Sequence, residues 1–121
     1  MPTITFKMDG KKEINVYYEA VEKPKTGNIR LVIYVHPHSR YKGRTDYINW
    51  DIKGAVVRSS YEMITIPSTG VETIEHTHSN LPVGTYTVVV WDTNGFYKKV
   101  SRIVDIREGT TTSVTIDLYP V

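Results

Sequence analysis

Apolar and polar residues alternate along most of this chain with the period of two that an extended backbone imposes, in short runs separated by turn residues. Ile4, Phe6 and Met8 alternate up to Asp9-Gly10, and Ile14, Val16, Tyr18 and Ala20 alternate beyond it, which predicts a first hairpin. After a loop at Lys23-Pro24-Lys25-Thr26-Gly27, the residues Ile29, Leu31, Ile33 and Val35 form the cleanest inward row. Arg30, Val32, Tyr34 and His36 oppose them, and Pro37 ends the run. Ile48, Trp50 and Ile52 then alternate with Tyr47, Asn49 and Asp51 until Gly54 interrupts the pattern. Between Ala55 and Ile66 the residues fit one bent strand or two short ones, closed by Pro67 to Gly70. Val71 to His78 is polar for a strand, with Ile74, His76 and His78 against Thr73, Glu75 and Thr77, so an edge position is expected.

The stretch from Leu81 to Phe96 organises what surrounds it. Pro82 and Gly84 make a corner into Thr85 to Asp92, a run dense in β-branched residues. Tyr86, Val88 and Val90 fall on one face and Thr85, Thr87, Val89 and Trp91 on the other; neither is plainly wet, so this strand is expected to be central. Asn94-Gly95 predicts a two-residue turn, with Phe96 onward pairing back. Val100, Val104 and Ile106 follow, and Val114, Ile116 and Leu118 make a closing strand. Tyr119-Pro120-Val121 runs past it as a tail that a neighbouring subunit or simple docking would have to hold. No window keeps apolar residues at helical spacing. Short strands at regular spacing predict one all-β sandwich domain over residues 1–121, of roughly seven to nine antiparallel strands. Trp50 and Trp91 are expected in its core.

Asn80-Leu81-Pro82-Val83-Gly84-Thr85-Tyr86-Thr87-Val88, the turn after it, and Glu108-Gly109-Thr110 to Leu118 resemble the closing strands of carboxypeptidase-regulatory-like and Cna-B-type modules. These form the prealbumin-like branch of immunoglobulin-like sandwiches. The resemblance covers about the last third of the chain and implies that fold. It implies no single activity, because such modules serve as spacers, adhesin stalks, carbohydrate-associated domains and virion parts. Tyr86, just after the Gly84 corner, matches a tyrosine corner whose hydroxyl ties back to loop backbone.

At 121 residues the chain can bury about two-thirds of the surface its unfolded form exposes. It has no cysteine, which removes disulfides, thiol nucleophiles and thiolate metal sites. Met1 to Met8 alternates instead of forming an apolar leader, so no signal peptide is expected, and no apolar run is long enough to span a bilayer. The net charge of +2 is small, so attraction to nucleic acid or membrane would have to be local.

Several residue groups could carry chemistry. His36-Pro37-His38 and His76-Thr77-His78 are His-x-His pairs, a spacing that aims both imidazoles to one side of an extended chain and could together hold a metal. Ordinary surface histidines are the simpler reading, and neither a metal nor another cofactor is expected. Ser39-Arg40-Tyr41-Lys42-Gly43-Arg44 interleaves cations with a tyrosine, types that neutralise phosphates and stack bases or sugars. Three charges give only weak, salt-sensitive binding, so Arg40, Tyr41, Lys42 and Arg44 are expected to contact an acidic protein neighbour and not nucleic acid. Among nine tyrosines, Tyr34, Tyr47 and Tyr97 are the candidates for an exposed sugar-stacking surface. Asp51, Asp92, Glu62 and Glu75 are scattered, and no serine sits in a nucleophile elbow, so catalysis is not expected.

The expected function is therefore a non-enzymatic structural or adhesive module of a larger assembly. A capsid-decorating or fibre-associated virion protein bound to protein neighbours comes first. A carbohydrate-binding or spacer module of a secreted or cell-surface protein is the alternative.

Overall fold

The computed structural model describes residues 25–121, and every regular element within them is a β-strand. The hairpin expected between Ile4 and Ala20 lies outside the described residues. Seven strands form two sheets: β1 (Thr26–Val35), β2 (Thr45–Lys53), β3 (Val57–Thr65), β4 (Glu72–Pro82), β5 (Gly84–Asp92), β6 (Val100–Ile106) and β7 (Thr111–Leu118). One sheet has the order β4-β1-β7 and the other β3-β2-β5-β6. Inward rows meet between them. Ile29, Leu31, Ile33 and Val35 of β1 and Val114, Ile116 and Leu118 of β7 face Ile48, Trp50 and Ile52 of β2 and Tyr86, Val88 and Val90 of β5, all buried. Each such side chain contributes about 1.5–3 kcal/mol on removal from water, which is why strict alternation fixes the register.

The chain changes sheet between β1 and β2, β3 and β4, β4 and β5, and β6 and β7. The crossing from β4 to β5 is a single residue, Val83, and Gly84 takes φ 141° there. Strand β4 therefore runs four residues past the end expected at His78, and β5 lies between β2 and β6, as a central strand should. Tyr86 closes this end: its hydroxyl donates to the Pro82 carbonyl at 2.6 Å, the tie expected of a tyrosine corner. Gly54 follows β2 because the Tyr86 ring and the Thr85 carbonyl occupy the space a Cβ would need.

Other expectations change. Residues 57–65 form one strand, since β3 pairs with β2 residue for residue from Val57↔Lys53 to Thr65↔Thr45. Asn94-Gly95 does not close a two-residue hairpin; the β5–β6 pairing ends at Val90↔Val100. The Asp92 carboxylate accepts the Phe96 and Tyr97 N–H groups at 2.7 and 3.0 Å and draws those residues across the end of the sandwich. Tyr97, expected at the surface, is consequently buried at 3% exposure. Strand β7 pairs with β1 in parallel, from Asn28↔Thr111 to Val35↔Leu118. The tail docks on the chain itself: Tyr97 bridges Pro120, and Val121 N–H donates to the Phe96 carbonyl. Trp91 is out of phase with the inward row of β5 and stands half-buried on the outer face of the four-stranded sheet, not in the core.

Candidate binding surfaces

The basic loop joins β1 to β2 and is anchored at both ends. Gly43 N–H donates to the Ile66 carbonyl, and Ile66 N–H returns to the Arg44 carbonyl, both at 2.8 Å. Tyr41 stacks on Phe96 with centroids 3.8 Å apart and planes 10° apart. The Arg40 and Arg44 guanidinium carbons lie 5.2 and 5.7 Å from the Tyr41 centroid. Each such contact is worth about 0.5–1 kcal/mol at an exposed site. Tyr41 thus holds the loop to the protein while Arg40, Lys42 and Arg44 are exposed, and Arg40 alone of the three borders a hollow of about 260 Å³ walled by His38, Tyr41, Asn94 and Phe96.

Beneath this loop lie two buried acids, Asp46 and Asp92. Asp46 Oδ1 accepts the Tyr47 N–H at 2.8 Å and the Asn94 side-chain amide at 3.0 Å, whereas the buried Oδ2 has no donor among the described residues. Burial, with the Asp92 carboxyl alongside, raises the Asp46 pKa to about 6, and Oδ2 is the oxygen that would hold the proton. Burial, then Asp92 and Asp46, pushes Tyr97 up to about 12, which keeps its hydroxyl a donor to the His36 carbonyl at 2.7 Å. These acids have no open face toward a substrate. They order the β5–β6 connection.

The four histidines are not brought together. His36 sits beyond the end of β1, with Nε2 2.9 Å from Asp117 Oδ1 and its ring stacked on Tyr119. His38 is buried against Tyr41 and Tyr97. His76 pairs with Leu31 near the middle of β1, about 16 Å along the strand from His36. His76 and His78 do share one side of β4, with ring centroids 4.7 Å apart, as the His-x-His spacing requires. Trp50 Nε1–H donates to His78 Nε2 at 3.0 Å, so that nitrogen is unprotonated, and burial lowers the pKa of His78, with smaller contributions from His76 and Arg58. Among the described residues no group of three or more acids and histidines is placed to hold a metal ion.

The outer face of the four-stranded sheet carries the aromatic surface. Cross-strand pairing puts Tyr61 of β3, Asn49 of β2 and Trp91 of β5 in one row, with Ser59 and Asp51 in the next. These five residues line a shallow trough of about 430 Å³. Tyr61 is 66% exposed, and Tyr47 and Met63 extend the row beside it, with the Tyr47 and Tyr61 rings edge-on at 5.9 Å. Of the three tyrosines expected to be exposed, only Tyr47 belongs here; Tyr34 is half-buried on the other sheet and Tyr97 is internal. Sequence reading missed Tyr61 because its phase depends on residues 57–65 forming one strand. The signal for Trp91 was present in its out-of-phase position after Val90.

No described helix is long and apolar enough to cross a membrane. In comparisons with known proteins, no family model matches this chain and no curated protein matches it.

Proposed function

We propose that this protein is a non-enzymatic adhesive module, a β-sandwich that attaches to a larger assembly through the outer face of its four-stranded sheet. The observation that carries this is the clustering of exposed Tyr61, Met63 and Tyr47 on neighbouring positions of β2 and β3, with Val57 and Ile103 exposed on the same sheet, since adjoining apolar side chains on one face mark an interaction surface where single ones do not. An immunoglobulin-like topology is part of the reading. Pairing of β1 with β4, and of β2 with β5 and β5 with β6, matches the B–E and C–F–G neighbours of that fold. The tyrosine tie at Tyr86 supports it, as does the resemblance to prealbumin-like modules. Among such modules, a capsid-decorating or fibre-associated virion protein is the assignment we favour. Many copies on one particle would turn modest contacts into firm attachment. The cations Arg40, Lys42 and Arg44 would add a salt-sensitive contribution toward an acidic neighbour.

Fluorescently labelled protein should bind particles or cells of its source saturably. The double variant Tyr61→Ser/Met63→Ser should keep its melting temperature and lose most of that binding. Equal binding by the variant would retire the outer face as the attachment surface.

A further inference from the structure

We infer that the trough between Tyr61 and Trp91 is a carbohydrate site that takes an uncharged, extended oligosaccharide. The inference rests on the outer face being the binding surface, and names its ligand. Tyr61 and Trp91 stand on strands separated by one intervening strand, so their backbones are roughly 10 Å apart, a span that a disaccharide covers. The apolar plane of such a ring stacks on the C–H face of a pyranose; Tyr61 is well exposed for this, and Trp91, half-buried, has Lys99 over one face and the other left for a sugar. Between them the polar groups are short side chains. Asn49 lines the trough and donates its amide to Thr93 Oγ1 at 3.0 Å, so the side-chain oxygen is the group it can offer a ligand, as an acceptor. Ser59 donates to Asp51 Oδ1 at 2.6 Å, fixing that carboxylate with Oδ2 as a second acceptor for ligand hydroxyls. Few fixed polar groups between apolar walls is the composition of a small-molecule site.

The charges favour a neutral occupant. Lys53 Nζ lies 3.9 Å from Asp51 Oδ2, and Lys99 Nζ lies 5.8 Å from the Trp91 centroid, so the single acid is balanced nearby and neither sign dominates. A peptide adding to the sheet would need free backbone groups. Such groups lie along the outer edge of β3, beside the trough and not in it; the floor is made by β2 and β5, which are paired on both sides, so that only side chains face a ligand there.

The two tryptophans make the test direct, because Trp50 is fully buried and Trp91 is not, so a change in tryptophan emission on adding sugar reports Trp91. Titration with cello-, xylo-, malto- and chito-oligosaccharides of increasing length should give a saturable emission change with at least one series. Affinity should rise until the chain spans both rings. Trp91→Ala, read by calorimetry, and Tyr61→Ala should each weaken binding about tenfold, the equivalent of about 1.4 kcal/mol, through loss of one stacked ring. Asp51→Asn should weaken it less. Tyr119→Ala, an exposed aromatic at the far tail, should leave it unchanged. Absence of binding to these series and to a broad glycan array overturns the inference. So does binding that survives loss of both rings. If the Tyr61 and Trp91 variants lose attachment to particles while no glycan binds, the outer face remains the adhesive surface and only the carbohydrate assignment falls. Glycan binding without particle attachment leaves the carbohydrate site standing and retires the assembly reading.

Discussion

A tyrosine hydroxyl ties loop backbone to the sandwich at each end, and the two ties differ in what surrounds them. Tyr86 donates to the Pro82 carbonyl beside Gly54, Val83 and Gly84, among neutral groups apart from Arg58 nearby. Tyr97 donates to the His36 carbonyl at the opposite end, next to Asp46 and Asp92, with His38 edge-on to its ring. The geometry is nearly the same, with hydroxyl-to-carbonyl distances of 2.6 and 2.7 Å. One end is therefore a packing joint, and the other is a joint whose strength varies with protonation. A hydrogen bond of this kind contributes only about 1 kcal/mol net, so the ring and its surroundings decide the stability of each end.

The largest effect is expected at the neutral end. Tyr86→Ala removes a buried ring and its hydroxyl partner and should cost about 3–5 kcal/mol by chemical denaturation. A loss no greater than that of a Lys98→Ala control would show that β5 is not central to the core. Gly54→Ala forces the Tyr86 ring or the Thr85 backbone to move, and should cost about 1–3 kcal/mol with no dependence on pH. At the other end, Tyr97→Phe keeps the ring and deletes the tie, leaving the His36 carbonyl without its donor, for a loss of about 1–2 kcal/mol.

Protonation sharpens the contrast. The folded protein holds the Asp46 proton up to about pH 6, while the unfolded chain releases it near the ordinary 3.8, so this acid favours the fold most at low pH. That contribution is lost as pH rises from about 4 to above 6. Asp46→Asn supplies a neutral amide in place of the protonated acid and should melt progressively higher than the wild type across that window. Parallel melting curves for the two proteins from pH 4 to 7.5 would show that Asp46 carries no raised pKa. The smallest effect is expected from Arg40→Ser with Arg44→Ser: about 1 kcal/mol, the two cation–ring contacts alone, since Tyr41 keeps its stack on Phe96 when the exposed guanidiniums are gone. A large loss would mean that the loop is held by its charges and not by its ring.

Period-two patterning made the strands of the core legible: Ile29 to Val35, Ile48 to Ile52, Tyr86 to Val90 and Val114 to Leu118 all face inward as the alternation requires. It left the acidic end unread, although the signal was there. Asp46 continues the inward phase of Ile48, Trp50 and Ile52, and Asp92 continues that of Tyr86, Val88 and Val90. Two inward rows that each finish on an acid, in strands that pair Ile48 with Asp92, place both carboxyls at one end. The Asn94-Gly95 turn failed for the same reason. Its local preference is weaker than the two hydrogen bonds by which Asp92 pulls Phe96 and Tyr97 aside. The trough was illegible for a different reason: Tyr61, Asn49 and Trp91 are brought side by side only by the pairing of three strands, which residue spacing along one strand cannot give.

The parallel seam between β1 and β7 also sets the order in which the molecule can be made. Asn28 and Thr111 are register partners, so the first described strand must wait through synthesis of all the others before its second edge is covered. Pairings of such sequence separation form slowly, because a long loop must close before the contact repays it. On the ribosome, Ile29-Arg30-Leu31-Val32-Ile33-Tyr34-Val35 would spend that time with one ladder of backbone groups unpaired, a template for another nascent chain. The seam that completes the sheet in the finished protein is thus its point of exposure during birth, and a chain that stops at Thr110 would remain in that exposed state.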